Sequence, residues 1–230
     1  MSLILSIESG TEVCSVAIAR DGEVVAMRES AEGRDHARLV ALYADELLKE
    51  CGIAPSELSA VAVSKGPGSY TGLRIGVSFA KGLCYGLRIP LIGVSSLSSL
   101  ARLTIENSDT DELQGALLAP MVDARRMEVY TQLFDTKGVA TTEVEAKIID
   151  EESFSELRAE GKRLILIGDG AAKCREALPW ATILDVKPSA AGVAKIADEK
   201  FQRAEVEDVA YFEPFYLKDV VITKSKKRFF

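Results

Sequence analysis

The stretch AVAVSKGPGSYTGLRIGVSFAKGLCYG, Ala60 to Gly86, joins an apolar strand to a glycine-studded helix through a loop of unusual composition. Such a junction invites a phosphate, because the free N–H groups at a helix start attract anions. The regular phosphate motifs fail here residue by residue. A P-loop needs Lys and then Ser or Thr after its last glycine, but Gly72 is followed by Leu73 and Arg74. The dinucleotide pattern beginning at Gly66 meets Thr71 where its third glycine belongs, and Pro67 removes one N–H donor. Within the helix, Gly72, Gly76 and Ala80 recur every four residues, so one face is nearly bare. A glycine in a helix interior costs about 1 kcal/mol relative to alanine. A close neighbour must offset that cost, either the chain's own sheet or a helix of a partner.

Upstream, Leu3, Leu5 and Ile7 alternate, Ser9-Gly10-Thr11 turns the chain, Val13 to Ala19 follows, and Asp21-Gly22 marks a hairpin before Glu23 to Arg28. Three antiparallel strands are expected. In Asp35 to Cys51, Val40, Ala44, Leu47 and Cys51 form one helical stripe flanked by His36, Leu39 and Tyr43, and Gly52 ends the helix. A strand at Leu58 to Ser64, the Gly-rich helix, a strand at Leu91 to Val94 and a serine-capped helix from Ser95 or Ser96 to about Ile105 complete the unit. After a polar linker, Glu106 to Gln114, the order begins again. Strands are expected at Ala116 to Val122, Val129 to Phe134 and Val139 to Ile148, then a helix at Glu151 to Ala159, a strand at Leu164 to Ile167, a helix after Gly168-Asp169-Gly170, a strand near Ile183 and a helix from Ala190 to about Arg203.

Two units that each open with three antiparallel strands and continue with helix–strand alternation predict an α/β protein of two duplicated ribonuclease-H-like lobes, residues 1–105 and 106–230, with the last helix able to return to the first lobe. A doubly wound Rossmann sheet is the runner-up, and the antiparallel opening argues against it.

The net charge of −7 over 230 residues repels phosphate backbones, which argues against tight nucleic-acid binding by this chain alone. Only Lys224, Lys226, Lys227 and Arg228 form a small basic tail. No apolar run reaches the roughly 20 residues a membrane helix needs, and no secretory pattern opens the chain, so a cytoplasmic location is expected. Cys14, Cys51, Cys84 and Cys174 are scattered and read as reduced thiols. His36 is the single histidine, so a catalytic zinc site lacks ligands; Ser69 lacks the Gly-x-Ser-x-Gly elbow of a nucleophile, and the Ser95, Ser96, Ser98, Ser99 cluster has no second histidine to act as base. A carboxylate Mg2+ site using Glu8, Asp123 or Asp169 stays open, beside the plainer reading of these residues as turn and cap formers.

These residues together resemble the TsaB family, also called YeaZ, of the bacterial pathway that makes threonylcarbamoyladenosine (t6A) in tRNA. The likeness spans most of the chain. Its most specific part is GPGSYTGLRIGVSFAKGL from Gly66, supported by ILSIESGTEVCSVAI from Ile4, IPLIGVSSLSSLA from Ile89, MVDARRMEVY from Met121 and EPFYLKD from Glu213. The resemblance implies the fold of the actin-like ATPase superfamily. It also implies a non-catalytic partner and activator of a TsaD-type threonylcarbamoyltransferase. The TsaD metal motif, Asn-His-x-x-Gly-His-like, follows a Pro-Leu-x-Gly-Val strand, and at its two histidine positions this chain has Ser96 and Leu100. Neither side chain replaces an imidazole. The superfamily's first strand usually carries aspartate, where this chain reads Glu8-Ser9-Gly10.

The expected partner interface is His36, Leu39, Val40, Tyr43, Ala44 and Leu47 of the first helix with Gly72, Gly76, Ala80 and Leu83 of the second. Ser9, Gly10 and Thr11 are the candidate nucleotide contacts; no catalytic residue and no metal ligand is assigned. No intrinsic cofactor is implied, with ATP, ADP or Mg2+ entering only in the assembled complex. A TsaE-like ATPase joins that complex, tRNA is reached only through it, and the isolated chain is expected to form a homodimer. The competing reading is a stand-alone actin-like-fold enzyme, either a small-molecule kinase or a glycoprotease-like hydrolase.

Overall fold

Apolar alternation through Leu3–Glu8 (β1), Cys14–Arg20 (β2) and Glu23–Ser30 (β3) produces three antiparallel strands, with Leu5 opposite Ile18 and Glu8 opposite Ser15. The computed structural model describes residues 1–32 and 35–218, with Thr110 by its backbone only; the basic tail Lys224 to Arg228 lies outside the described residues. Asp21 and Gly22 join β2 to β3 with φ of 49° and 79°, the left-handed pair that a tight hairpin requires. His36–Glu50 (α1), Ala60–Gly66 (β4), Tyr70–Leu87 (α2), Leu91–Ser95 (β5) and Ser96–Asn107 (α3) follow. Strands β4 and β5 run parallel to β1, giving the order β3-β2-β1-β4-β5.

After the short helix Thr110–Leu113 (α4), the second half repeats this order with Ala116–Asp123 (β6), Glu128–Thr131 (β7), Glu145–Ile148 (β8), Ser155–Ala159 (α5), Arg163–Ile167 (β9), Thr182–Leu184 (β10) and Ala190–Gln202 (α6). Its sheet reads β8-β7-β6-β9-β10, with the same parallel and antiparallel pairs. Both sheets are mixed, which excludes the Rossmann alternative and gives two ribonuclease-H-like lobes.

The second half is leaner than its sequence suggests. The strand expected over Val139 to Ile148 contracts to β8, the helix over Glu151 to Ala159 to α5, and the helix after Gly170 to a 3-10 turn at Ala172–Cys174. The polar stretch expected as a linker contains α4, because Leu113 is buried in the core of the second lobe. Ser95 caps α3, its hydroxyl accepting from Ser98 N at 3.4 Å. Ser95→Ala is expected to cost about 1 kcal/mol in a urea titration, the usual worth of an N-cap.

Period-2 alternation sorts each central strand between two helical layers. Val61 and Val63 of β4 face α1 and α2, whereas Ala60 and Ala62 face α6 through Val193 and Ala197. Helix α6 therefore packs on the first sheet. Helix α3 does the converse, with Leu97, Leu100 and Ala101 packed on Leu118, Val122, Ile165 and Ile167 of the second sheet. The two helices cross where Gly192 meets Ser99; a Cβ on Gly192 would lie 2.5 Å from the Ser99 carbonyl oxygen. From α6 the chain runs as a strap along the first lobe. Glu207 N donates to Leu91 O at 2.8 Å, Lys81 Nζ donates to the carbonyls of Ala210 and Phe212, and Phe215 N donates to Lys65 O at 2.7 Å. Lys218 then pairs with Glu128 of the second lobe.

Candidate functional site

The loop between β4 and α2 answers what approaches its glycines. Ser69 caps α2, and its N–H donates to Gly10 O at 2.6 Å, which draws the β1–β2 turn onto the loop. Cβ atoms on Gly68, Gly72 and Gly76 would each come under 3.0 Å from Gly10 O, Ser9 O and Ser9 Oγ. Ser9 Oγ donates to Gly72 O at 3.0 Å. Gly66 has φ of 109° and lies against the carbonyl of Phe215, so this loop receives the chain on two sides.

Most of the residues expected at a partner interface sit inside the chain's own fold. Gly72, Gly76 and Ala80 are buried against the chain's own β1–β2 turn and sheet, and His36, Leu39, Val40, Ala44 and Leu47 are buried with them; Tyr43 and Leu83 are half-buried at the margin of that core. Helical stripes of small or apolar residues record a close neighbour without saying whose it is. The outward faces of α1 and α2 instead form a groove of about 450 Å3, floored by Val40, Ile75 and Phe79 and edged by exposed Ala37, Arg74 and Ser78. Further along, a methyl group added at Gly82 or Gly86 would meet none of the described residues within 4 Å. The sequence carries that signal too, since Ser78, Gly82 and Gly86 form a second small-residue row at the same spacing, offset from the buried one.

Between the lobes lies a cleft of about 750 Å3. At the β1–β2 turn beside this cleft, the candidate nucleotide contacts Ser9, Gly10 and Thr11 each make hydrogen bonds within the chain. Ser9 Oγ is engaged with Gly72 O, Gly10 N donates to Glu8 Oε1 at 2.7 Å, and Thr11 Oγ1 accepts from Val13 N at 3.3 Å. Around the turn stand Glu8, Glu12, Asp123 and Asp169. Arg125 and Lys218 line the same cleft, so its charge is mixed. His36 is buried with Nε2 3.0 Å from Thr11 O, and among the described residues no group of three His, Cys, Asp or Glu could hold a metal.

Glu8 ends β1 and is 0% exposed. Its Oε2 has no hydrogen-bond partner among the described residues, and burial pushes the carboxyl up to about 7, with Asp169 adding to the rise. Asp169, on the Gly168-Asp169-Gly170 turn of the second lobe, is likewise raised, first by its own burial; Asp123 N donates to its Oδ1 at 3.3 Å. Asp123 in turn is paired with Lys173. At the positions where the TsaD motif would carry histidine, Ser96 Oγ lies 2.7 Å from Ser64 Oγ and Leu100 is fully buried beneath the second sheet.

The family model described as TsaD, tRNA N6-adenosine threonylcarbamoyltransferase, matches residues 24–226. A Buchnera aphidicola protein called tRNA threonylcarbamoyladenosine biosynthesis protein TsaB is 30% identical over 192 residues, 81% of each chain. The solved structure of YeaZ from Pseudomonas aeruginosa superposes with a TM-score of 0.80 at 27% identity, covering 94% of this chain and 100% of that one. More distantly, at 13% identity, the activator of 2-hydroxyisocaproyl-CoA dehydratase from Clostridium difficile, solved with bound ADPNP, has a TM-score of 0.52 over 90% of this chain and 98% of its own and shares the actin-like ATPase fold alone. Matched in sequence along most of its length and in both lobes, the chain belongs to the TsaB (YeaZ) family, within the wider group that the TsaD model describes.

Proposed function

We propose that this chain is a non-catalytic subunit that binds and activates a TsaD-type threonylcarbamoyltransferase during t6A formation in tRNA. The observation that carries the reading is the first two turns of α3, where Ser96 and Leu100 are locked into hydroxyl and apolar contacts of the core. A subunit so built contributes surface. The surface best suited is the outward α1–α2 groove, whose apolar floor and small-residue rim suit a pair of helices from a related fold. In isolation the same groove would accept a second copy, and any ATP, ADP or Mg2+ would be held by the partner subunits, a TsaE-like ATPase among them. The net charge of −7 fits a chain that meets tRNA only through that complex, in the cytoplasm. Among the described residues no helix is long and apolar enough to cross a membrane.

The test is a pair of long cationic side chains at exposed groove positions, Ala37→Arg with Ser78→Arg. Co-purification with the TsaD-type subunit, and t6A synthesis reconstituted with it, are expected to fall at least tenfold while the melting temperature stays within a few degrees. Unchanged association of the double variant overturns the groove. Undiminished t6A synthesis when the chain is omitted overturns the function.

A further inference from the structure

The hairpin that joins β6 to β7 turns through Arg125 and Arg126, whose φ angles are 73° and 50°. Ala124 N donates to Glu128 O and Glu128 N donates to Arg125 O, both at 3.1 Å, and these bonds close the turn. The first-lobe hairpin at Asp21-Gly22 has a left-handed pair as well, but one of its two residues is glycine. Among the described residues, Arg125 and Arg126 are the only neighbours that both carry a Cβ into this conformation, which the Cβ disfavours. Such turns ordinarily take Asn, Asp or Gly. Two arginines held there against that preference point to a use for their guanidiniums.

Both arginines are exposed, and among the described residues neither guanidinium is paired with a carboxylate. The acids that flank the turn are engaged otherwise. Asp123 pairs with Lys173 and accepts from Arg125 N at 2.8 Å, and Glu128 pairs with Lys218. Asp169 lies at the foot of the hairpin, where its Oδ1 accepts from Asp123 N at 3.3 Å. The tip, residues 124–127, therefore carries two positive charges and no negative one. Arg125 and Lys218 both line the cleft, so the tip stands at its lip. In sequence, Lys218 leads to Lys224, Lys226, Lys227 and Arg228, and covalent geometry keeps Lys224 within about 20 Å of Lys218. On a chain of net charge −7, the basic tail is thus tethered beside the one turn that presents two adjacent arginines. A local cationic site on an acidic chain suits a polyanion delivered to it rather than one captured from solution.

We propose that the Arg125-Arg126 turn is a phosphate contact for the tRNA backbone, made once the partner subunit has brought the tRNA to this lip of the cleft. The planar fork of a guanidinium matches a phosphate, and such contacts position a nucleic acid without reading its sequence. The inference rests on the tRNA-modifying role proposed above.

Affinity of the complex with the TsaD-type subunit for unmodified tRNA, measured from about 50 to about 300 mM KCl, tests it. Arg125→Asn with Arg126→Gly gives the turn the residues it prefers, so the melting temperature is expected to equal or exceed that of the parent. Affinity at about 100 mM salt is expected to fall at least tenfold, and the slope of log affinity against log salt to flatten by about one to two. Arg125→Lys with Arg126→Lys keeps the charges and should keep the slope. Unchanged affinity and slope in the Asn-Gly variant overturn the contact. Weaker co-purification with the TsaD-type subunit at unchanged tRNA affinity overturns it too, by assigning the arginines to a protein surface. A second arm needs neither variant nor partner: a short single-stranded RNA added to the isolated full chain at about 50 mM salt is expected to shift the backbone amide resonances of residues 124–128. No shift there overturns the phosphate contact and leaves the groove reading standing, whereas failure of the parent chain to co-purify with the TsaD-type subunit overturns the groove reading and leaves this arm to decide the contact.

Discussion

Alanine in place of Gly72 is expected to destabilise the protein by about 3 kcal/mol, whereas alanine in place of Gly82, ten residues along the same helix, is expected to stabilise it by up to about 1 kcal/mol. Both glycines lie in α2, and in both cases alanine removes backbone freedom that only the unfolded chain enjoys. They differ in what the new methyl meets. At Gly72 it meets the Ser9 carbonyl oxygen, a backbone atom held by strand pairing on one side and by the loop on the other, so neither helix nor turn can yield cheaply. At Gly82 it meets none of the described residues within 4 Å. Gly76 belongs with Gly72, since its methyl would strike the Ser9 side chain and Val63. Urea denaturation of the three single variants checks the contrast. Gly72→Ala within about 0.5 kcal/mol of the parent would show that the β1–β2 turn is not held against α2.

Glu8→Gln is expected to leave stability nearly unchanged near pH 4.5 and to raise it by about 3 kcal/mol at pH 8. Burial lifts the Glu8 carboxyl from an ordinary 4.5 to about 7 in the folded chain. Between those values the folded chain keeps a proton that the unfolded chain has released, so folding stability falls as pH rises through that window. Below about pH 4.5 both states are protonated and the effect is absent; above about 7 both are ionised and the whole cost is in place. Glutamine keeps an acceptor for Gly10 N and carries no charge to bury. Thermal unfolding of parent and variant at pH 5 and pH 8.5 measures the difference. Parallel pH profiles for the two proteins would mean that Glu8 titrates normally.

The lobes were legible because hairpin and helix signals are local. Asp21-Gly22 needs only its own turn chemistry, and the serines at 69, 95 and 189 each cap the helix they precede. The shortened elements of the second half were not legible, since residues 170–178 are ordered by packing Ala171, Cys174 and Leu178 on β6 and β9 and not by helical periodicity. What approaches the small-residue stripe of α2 was not legible for a related reason. Gly72, Gly76 and Ala80 report a close approach, and the approaching group, Ser9, is more than sixty residues distant in sequence. No local pattern connects them. Glu8 could be seen as a departure from aspartate, but its full burial and its unpartnered oxygen exist only once the sheet is packed.

The crossing of α3 and α6 makes the two halves mutually indebted in a way that their matching strand orders conceal. Each sheet is roofed on one side by a helix that the other half encodes, Val193 and Ala197 over the first and Leu97 and Leu100 over the second. A gene cut at the polar stretch between α3 and β6 would yield two fragments, each with an uncovered apolar sheet face and an orphaned apolar helix. Neither half is expected to fold by itself, since each would lack the helix that closes one face of its sheet.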